Sequence, residues 1–261
     1  MKPFLFELPI FGMHFALPTY GLTLAIAFLV ALWFAQWEAR RNGLASEAVL
    51  DLWIAALVSG IVGAKVLLYA LDFRYYLENP RAILSGLQSA GVFYGGFLAA
   101  VLTCLYMIVK RDLPGWRIAD IAAPAIALGQ AIGRIGCFAA GCCYEKETHL
   151  PWAVTFTDEE AHRLTGVPLD VALHPSQLYE SALDFVLFLT LLVLSRRKRP
   201  DGQLFLWYLL LYALLRGAVE FTRGDPRGQI LGASTSQLIA AAAATAAAFL
   251  LWRRRRAALA R

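Results

Sequence analysis

The sequence predicts an all-α integral membrane protein with seven transmembrane helices. Apolar residues make up 59% of the chain and charged residues 16%, with a mean hydropathy of +0.57. Water-soluble domains hold roughly 45–50% and about 25% of these classes. The apolar residues also gather into runs of about twenty, the length at which a helix crosses a bilayer. Membrane barrels instead show alternating segments of about ten residues. Finally, Lys and Arg are shared unequally between alternate connections, which orients the spans.

Candidate spans cover 18–37, 51–71, 92–109, 118–136, 177–195, 203–221 and 231–252. With the N-terminus outside, the inward connections carry Arg40 and Arg41, then Lys110, Arg111 and Arg117, then Arg196 to Arg199, then Arg253 to Arg256 with Arg261. That is fourteen cations against seven outside. The bias places the C-terminus in the cytoplasm. Arginines flanking membrane helices account for the net charge of +5, so it gives no ground for nucleic-acid binding. Glu7 and Pro9 interrupt the first apolar stretch, so no secretory signal is expected and the first helix is retained.

No internal repeat or second domain interrupts 1–261, which is read as a single transmembrane domain. Two outward segments exceed simple connectors. Residues 72–91 mix aromatics with charges and suit an amphipathic segment on the outer surface. Residues 137–176 form a small periplasmic head segment holding three cysteines, three histidines and the strand-like run Pro-Trp-Ala-Val-Thr-Phe. The alanine-rich run 239–248 suits close helix packing in the last span.

The stretch 128–145 is the focus for chemistry. Arg134 closes an apolar run with no other charge after Asp120, amid glycines and Cys137, Cys142 and Cys143. A guanidinium at such a place is costly and marks a functional site by default. Arg216 and Glu220 stand at i and i+4 on one helix face, with Arg223 a turn further. They form either a structural ion pair or, with Arg134, a cationic pocket gripping a phosphate bidentately. Two arginines against one glutamate leave that pocket positive.

Tyr20 and Tyr94 each open a span. Either is an interfacial anchor or a headgroup contact. Gly95 and Gly96, after Tyr94, allow another chain to approach closely. Lys65, mid-span among glycines, either snorkels or serves as a counter-charge. His174, ahead of span five, is a base or a hydrogen-bonded structural histidine, and Glu180 is a second acid near the outer membrane level. The outward cysteines fit a disulfide, packed thiols, or a metal site; Cys-x4-Cys-Cys is not a standard zinc spacing, and no metal is expected.

These pieces together resemble the prolipoprotein diacylglyceryl transferase family. The matching landmarks are Thr19-Tyr20-Gly21, Gly63-Ala64-Lys65, the Gly91 to Gly96 run and Gly133-Arg134-Ile-Gly136. They continue with His174-Pro-Ser-Gln-Leu-Tyr-Glu180 and Arg216-x3-Glu220-x2-Arg223-x-Asp225-Pro226, in family order over nearly the whole chain. The resemblance implies a bacterial inner-membrane enzyme of seven spans, needing no cofactor. It moves the diacylglyceryl group of phosphatidylglycerol to the lipobox cysteine thiol of a prolipoprotein signal peptide; a thioether forms and glycerol phosphate leaves.

On the matching positions, Arg134 and Arg216 stabilise the phosphate, Glu220 orients Arg216, and Tyr20 contacts the headgroup. Gly95, Gly96, Lys65, Arg223 and His174 line the substrate. Tyr94 stands where many members carry histidine. A phenol with a pKa near 10 is a poor base at neutral pH, so Tyr94 is expected to hydrogen-bond the thiol or phosphate. Cys137 and Cys142 stand where many members have asparagine and glutamate; Glu145 and Lys65 replace a frequent glycine and arginine. Together they suggest a cysteine-rich variant branch.

Two other functions fit parts of the sequence. A membrane thiol–disulfide oxidoreductase would use Cys137, Cys142 and Cys143 but leaves Arg216 and Glu220 without a task. A non-catalytic lipid-binding homologue would use the same scaffold without turnover.

Overall fold

A computed structural model describes residues 4–10, 13–80, 82–83, 91–142, 146–220, 229–230 and 233–259. It is mostly helical, as composition requires. Among the described residues five helices are long and apolar enough to cross a membrane. They are α1 (Thr19–Arg41), α2 (Ser46–Leu71), α4 (Phe93–Lys110), α5 (Gly115–Ala140) and α7 (Ser176–Ser195). The apolar α8 (Gln203–Val219) is shorter, and α9 (Thr235–Leu259) carries four consecutive arginines, 253–256, near its end. The chain is a multi-pass membrane protein.

The helix ends depart from the apolar runs for electrostatic and capping reasons. Helix α2 starts at Ser46, five residues before the expected 51, with Glu47 in its first turn, where an acid suits the N-terminal dipole. Helix α5 continues to Ala140, past the expected 136, and the chain leaves it at Gly141 with φ of 71°. Arg134 therefore sits six residues inside a helix rather than at its end.

Among the described residues three short antiparallel pairs modify the all-α expectation. Strands β1 (Phe4–Ile10) and β2 (Met13–Pro18) form a hairpin ahead of α1. The pair β5 (Gln229–Ile230) and β6 (Ala233–Ser234) precedes α9. The third pair, β3 (Val154–Thr155) with β4 (Ala172–Leu173), falls on the strand-like run of the head segment. The expected surface segment 72–91 contains α3 (Phe73–Glu78), with no buried residue; residues 84–90 lie outside those described.

The chain forms two compact units, Met1–Phe34 with Ala119–Arg261, and Ala35–Ile118. In the first, α5 supplies small buried residues, Ala123, Ala125, Ala127 and Ala131. They let backbones approach, which is how helices associate where lipid removes the hydrophobic drive. A Cβ at Gly136 would lie 2.9 Å from Thr23 Cβ, so α1 crosses α5 at van der Waals distance. Helix α7 ties to α5 through Ser181 Oγ, which donates to the Ala131 carbonyl at 2.8 Å. Helix α8 ties to α5 twice. Tyr208 donates to Gln130 Oε1 at 2.9 Å, and Asp120 accepts from the amides of Gly202 (2.7 Å) and Phe205 (2.8 Å), capping α8.

The head belongs to the same unit and has its own small core of Phe156, Ala161, Val167 and Leu173. Helix α6 (Glu159–Thr165) is capped by Asp158, which accepts from Ala161 N at 2.9 Å, and ends at left-handed Gly166. In the second unit α2 packs on α4. A Cβ on Gly63 would lie 2.5 Å from the Gly95 carbonyl oxygen, and one on Gly96 2.7 Å from that of Gly60. Only glycine permits that crossing.

Candidate active site

Three helices of the first unit bring four charged side chains together. Arg134 projects from α5, Glu180 from the first turns of α7, and Arg216 from the last turn of α8, with Glu220 just beyond its end. Glu180 is the hinge of the arrangement. Its Oε2 contacts Arg134 Nε directly, and its Oε1 lies 3.7 Å from an Nη of Arg216. Arg216 also pairs with Glu220 Oε2 at 2.7 Å, the i,i+4 contact that the spacing foretold.

The cluster is largely withdrawn from solvent: the Glu180 side chain is 6% exposed, Arg216 13% and Arg134 24%. Charges this dry persist only when paired. Asp184, one turn along α7 from Glu180 and 5% exposed, adds a further acid. Glu180, Asp184, Tyr212 and Arg216 line a cavity of about 10 Å³, room for roughly one water molecule.

Glu180 was visible in sequence as an acid at the outer membrane level, but not as the shared counter-ion of both arginines. A local rule finds Arg216 with Glu220. No local rule finds Arg134 with Glu180, which are 46 positions apart. The expected surplus of positive charge is correspondingly absent among these described residues: two guanidinium groups meet two paired carboxylates, and Asp184 is a third.

Other expected site residues stand near the cluster in sequence or on the same elements. Cys137 lies on α5 three residues after Arg134 and is buried; Cys142 Sγ is 3.6 Å from the Cys137 carbonyl. Gln177, in the first turn of α7, donates to the Cys142 carbonyl at 2.8 Å and so ties the head to α7. His174 precedes α7, its ring 6.2 Å from that of Tyr179, and its Nδ1 is buried without a hydrogen-bond partner among the described residues. Tyr20 lies in the first turn of α1 and is exposed. Arg223, Cys143 and Glu145 lie outside the described residues.

Tyr94, Lys65, Gly95 and Gly96 belong to the second unit. Tyr94 is 55% exposed, stacked edge-on with Phe93. Gly95 and Gly96 face the α2 backbone, and that close contact by itself requires glycine there. Among the described residues no three of His, Cys, Asp and Glu converge in a way that would hold a metal ion.

Comparison with known proteins bears on this arrangement. Residues 4–253 match the family model described as prolipoprotein diacylglyceryl transferase. A Clostridium tetani protein named phosphatidylglycerol–prolipoprotein diacylglyceryl transferase is 36% identical over 92% of both chains. A protein of that name from Finegoldia magna and one from Clostridium perfringens, whose name carries the suffix 2, are 36% and 30% identical, covering 79% and 88% of each chain.

Proposed function

The chain belongs to the prolipoprotein diacylglyceryl transferase family, and from that premise we propose the reaction and the residues that run it. The enzyme is a diacylglyceryl transferase. Its donor is phosphatidylglycerol and its acceptor is the lipobox cysteine of a prolipoprotein signal peptide. The thiol sulfur attacks the glyceryl carbon that bears the phosphate ester. A C–S bond forms and the C–O bond breaks. The electron pair stays with the phosphate oxygen, the thiol proton passes to water, and glycerol phosphate departs as the dianion.

The leaving phosphate passes from one negative charge toward two, so the principal demand on the protein is cationic stabilisation of that oxygen. The observation that carries the assignment is the meeting of Arg134 and Arg216, from separate helices, on one buried glutamate. Glu220 holds Arg216 from its other side. Glu180 joins the set as the positioning residue for both arginines. Tyr20 contacts the headgroup and Tyr94 hydrogen-bonds the thiol or phosphate; Lys65, Arg223, His174, Cys137 and Cys142 line the substrates. The protein is set in the bacterial inner membrane with seven spans, its N-terminus outside and its C-terminus in the cytoplasm. The five long apolar helices support this reading, with the shorter α8 and with α9 as candidates for the other two.

The test is a transfer assay. Purified protein in phosphatidylglycerol vesicles is given a lipobox peptide, and mass spectrometry follows the diacylglyceryl gain. Wild type should show the gain and Arg134→Ala should abolish it. No gain, beside an active control enzyme, refutes the proposal. Replacing Cys137, Cys142 and Cys143 with serine should leave transfer in place, which excludes thiol–disulfide chemistry as its basis.

A further inference from the structure

At the other end of α7 from Glu180 the chain turns into α8, and an open pocket of about 460 Å³ lies there. The turn lines it with Arg197, Lys198 and Arg199, beside Gln203 at the start of α8. The two helices line the rest with Thr190, Leu194, Trp207 and Leu211. From Glu180 to Leu194 is fourteen residues of helix, a rise of about 21 Å. The cavity and the arginine–glutamate cluster therefore lie toward opposite faces of the membrane. We infer that this cavity binds the phosphate headgroup of an anionic phospholipid in the leaflet opposite the active site.

Volume, charge and wall all point to that ligand. Cavities of roughly 300–1,000 Å³ are the ordinary size for a small molecule. Arg199 is held in place: one Nη donates to the carbonyls of Leu194 (2.6 Å) and Arg197 (3.2 Å) at the end of α7. Its Nε is buried without a hydrogen-bond partner among the described residues, a fixed donor with capacity to spare. Arg197 and Lys198 are exposed, and no carboxylate pairs with either among the described residues.

Two acids stand near. Asp120 spends both oxygens on the amides of Gly202 and Phe205, and Asp201 is exposed on the turn. Against Arg196 to Arg199 they leave the turn net positive. The wall selects a lipid over a soluble anion. Trp207 is an aromatic of the kind that settles at headgroup level, and Leu189 and Val193 on the adjacent face of α7 are exposed to take acyl chains. Basic pockets between membrane helices hold anionic headgroups in this way.

Retention of lipid by the full-length protein in detergent, read by native mass spectrometry, tests the site without using activity. The probe is phosphatidylserine, anionic but not the proposed donor, against phosphatidylcholine. Wild type should retain phosphatidylserine several-fold in preference. Arg197→Gln with Lys198→Gln should cut that retention by about fivefold or more, with unchanged helix content by circular dichroism, while Arg163→Gln, which removes an exposed cation on the head segment, should not. Lys198→Gln alone should give an intermediate loss. Equal retention by wild type and the double variant overturns the site. Loss of the lipid to millimolar inorganic phosphate overturns the lipid assignment. None of these outcomes depends on whether transfer is observed.

Discussion

Replacing Glu180 with glutamine keeps the shape of the side chain and one acceptor oxygen but removes the charge that both arginines share. At 3.7 Å and an effective dielectric near 20, the attraction between Glu180 and Arg216 alone is about 4–5 kcal/mol before desolvation is counted. Removing one partner of a fully buried pair costs about 3–5 kcal/mol. Here Arg216 keeps Glu220 and Arg134 is 24% exposed, so about 2–3 kcal/mol is the reasonable share. If that energy now holds Arg134 where the phosphate needs it, kcat falls by roughly 30- to 150-fold, at about 1.4 kcal/mol per decade.

The KM for lipid should stay level or fall, because the cluster becomes one charge more positive. The assay is the initial rate of peptide lipidation at varied mole fractions of phosphatidylglycerol. Arg134→Lys is added to complete a double-mutant cycle. Side chains in direct contact should be non-additive by about 1 kcal/mol or more. A kcat within twofold of wild type, or additivity of the two substitutions, refutes the idea that Glu180 positions Arg134.

Three further substitutions probe the frame. Gly95→Ala puts a methyl 2.5 Å from Leu67 Cβ with backbone behind it; overpacking should cost about 1–3 kcal/mol and lower the thermal midpoint measured in detergent, and an unchanged midpoint argues against so close a crossing of α2 and α4. Asp120→Ala removes the acceptor for two amides, a loss of about 1–2 kcal/mol that should appear as faster hydrogen exchange at Gly202 and Phe205 and be partly restored by asparagine. Tyr208→Phe strands the half-buried Gln130 side-chain carbonyl oxygen at about 1 kcal/mol in chemical denaturation, and Gln130→Leu in the same chain should recover part of the loss.

The helical content and the position of the runs were legible because apolar length alone decides whether a segment spans a bilayer. Their ends were less so, since Glu47 is drawn into α2 by the helix dipole and Gly136 is carried inside α5 by packing against α1, neither of which hydropathy records. The N-terminal hairpin was missed because a short apolar run such as Phe4–Ile10 reads alike as strand or helix. At the site, Arg216 and Glu220 were found by a one-turn spacing. Glu180 required the facing of two helices, which one sequence does not carry. The double glycine at 95–96 reads in sequence as a place of close approach, and α2, at Gly60 and Gly63, is the chain that approaches.

The balance of charge at the cluster bears on how an anion is held. A site with surplus positive charge would bind the phosphodiester by attraction alone. With Glu180 seated on both arginines, donor binding in the proposed reaction is instead an exchange, in which a phosphate oxygen displaces a carboxylate from Arg134. In the proposed reaction the donor carries one negative charge, as the carboxylate does, so the exchange is close to even in the ground state. As the C–O bond breaks the phosphate gains charge and the carboxylate does not, and the arginines shift toward the leaving group. Breaking that ion pair costs the bound donor and the transition state alike, so the competition itself bears on donor binding, while the rate depends on Glu180 through the position it gives the arginines. The same logic gives Glu180→Gln its signature: removing the competitor spares or tightens lipid binding while the rate falls, whereas a purely structural glutamate would lower stability and leave the ratio of kcat to KM effects without that pattern.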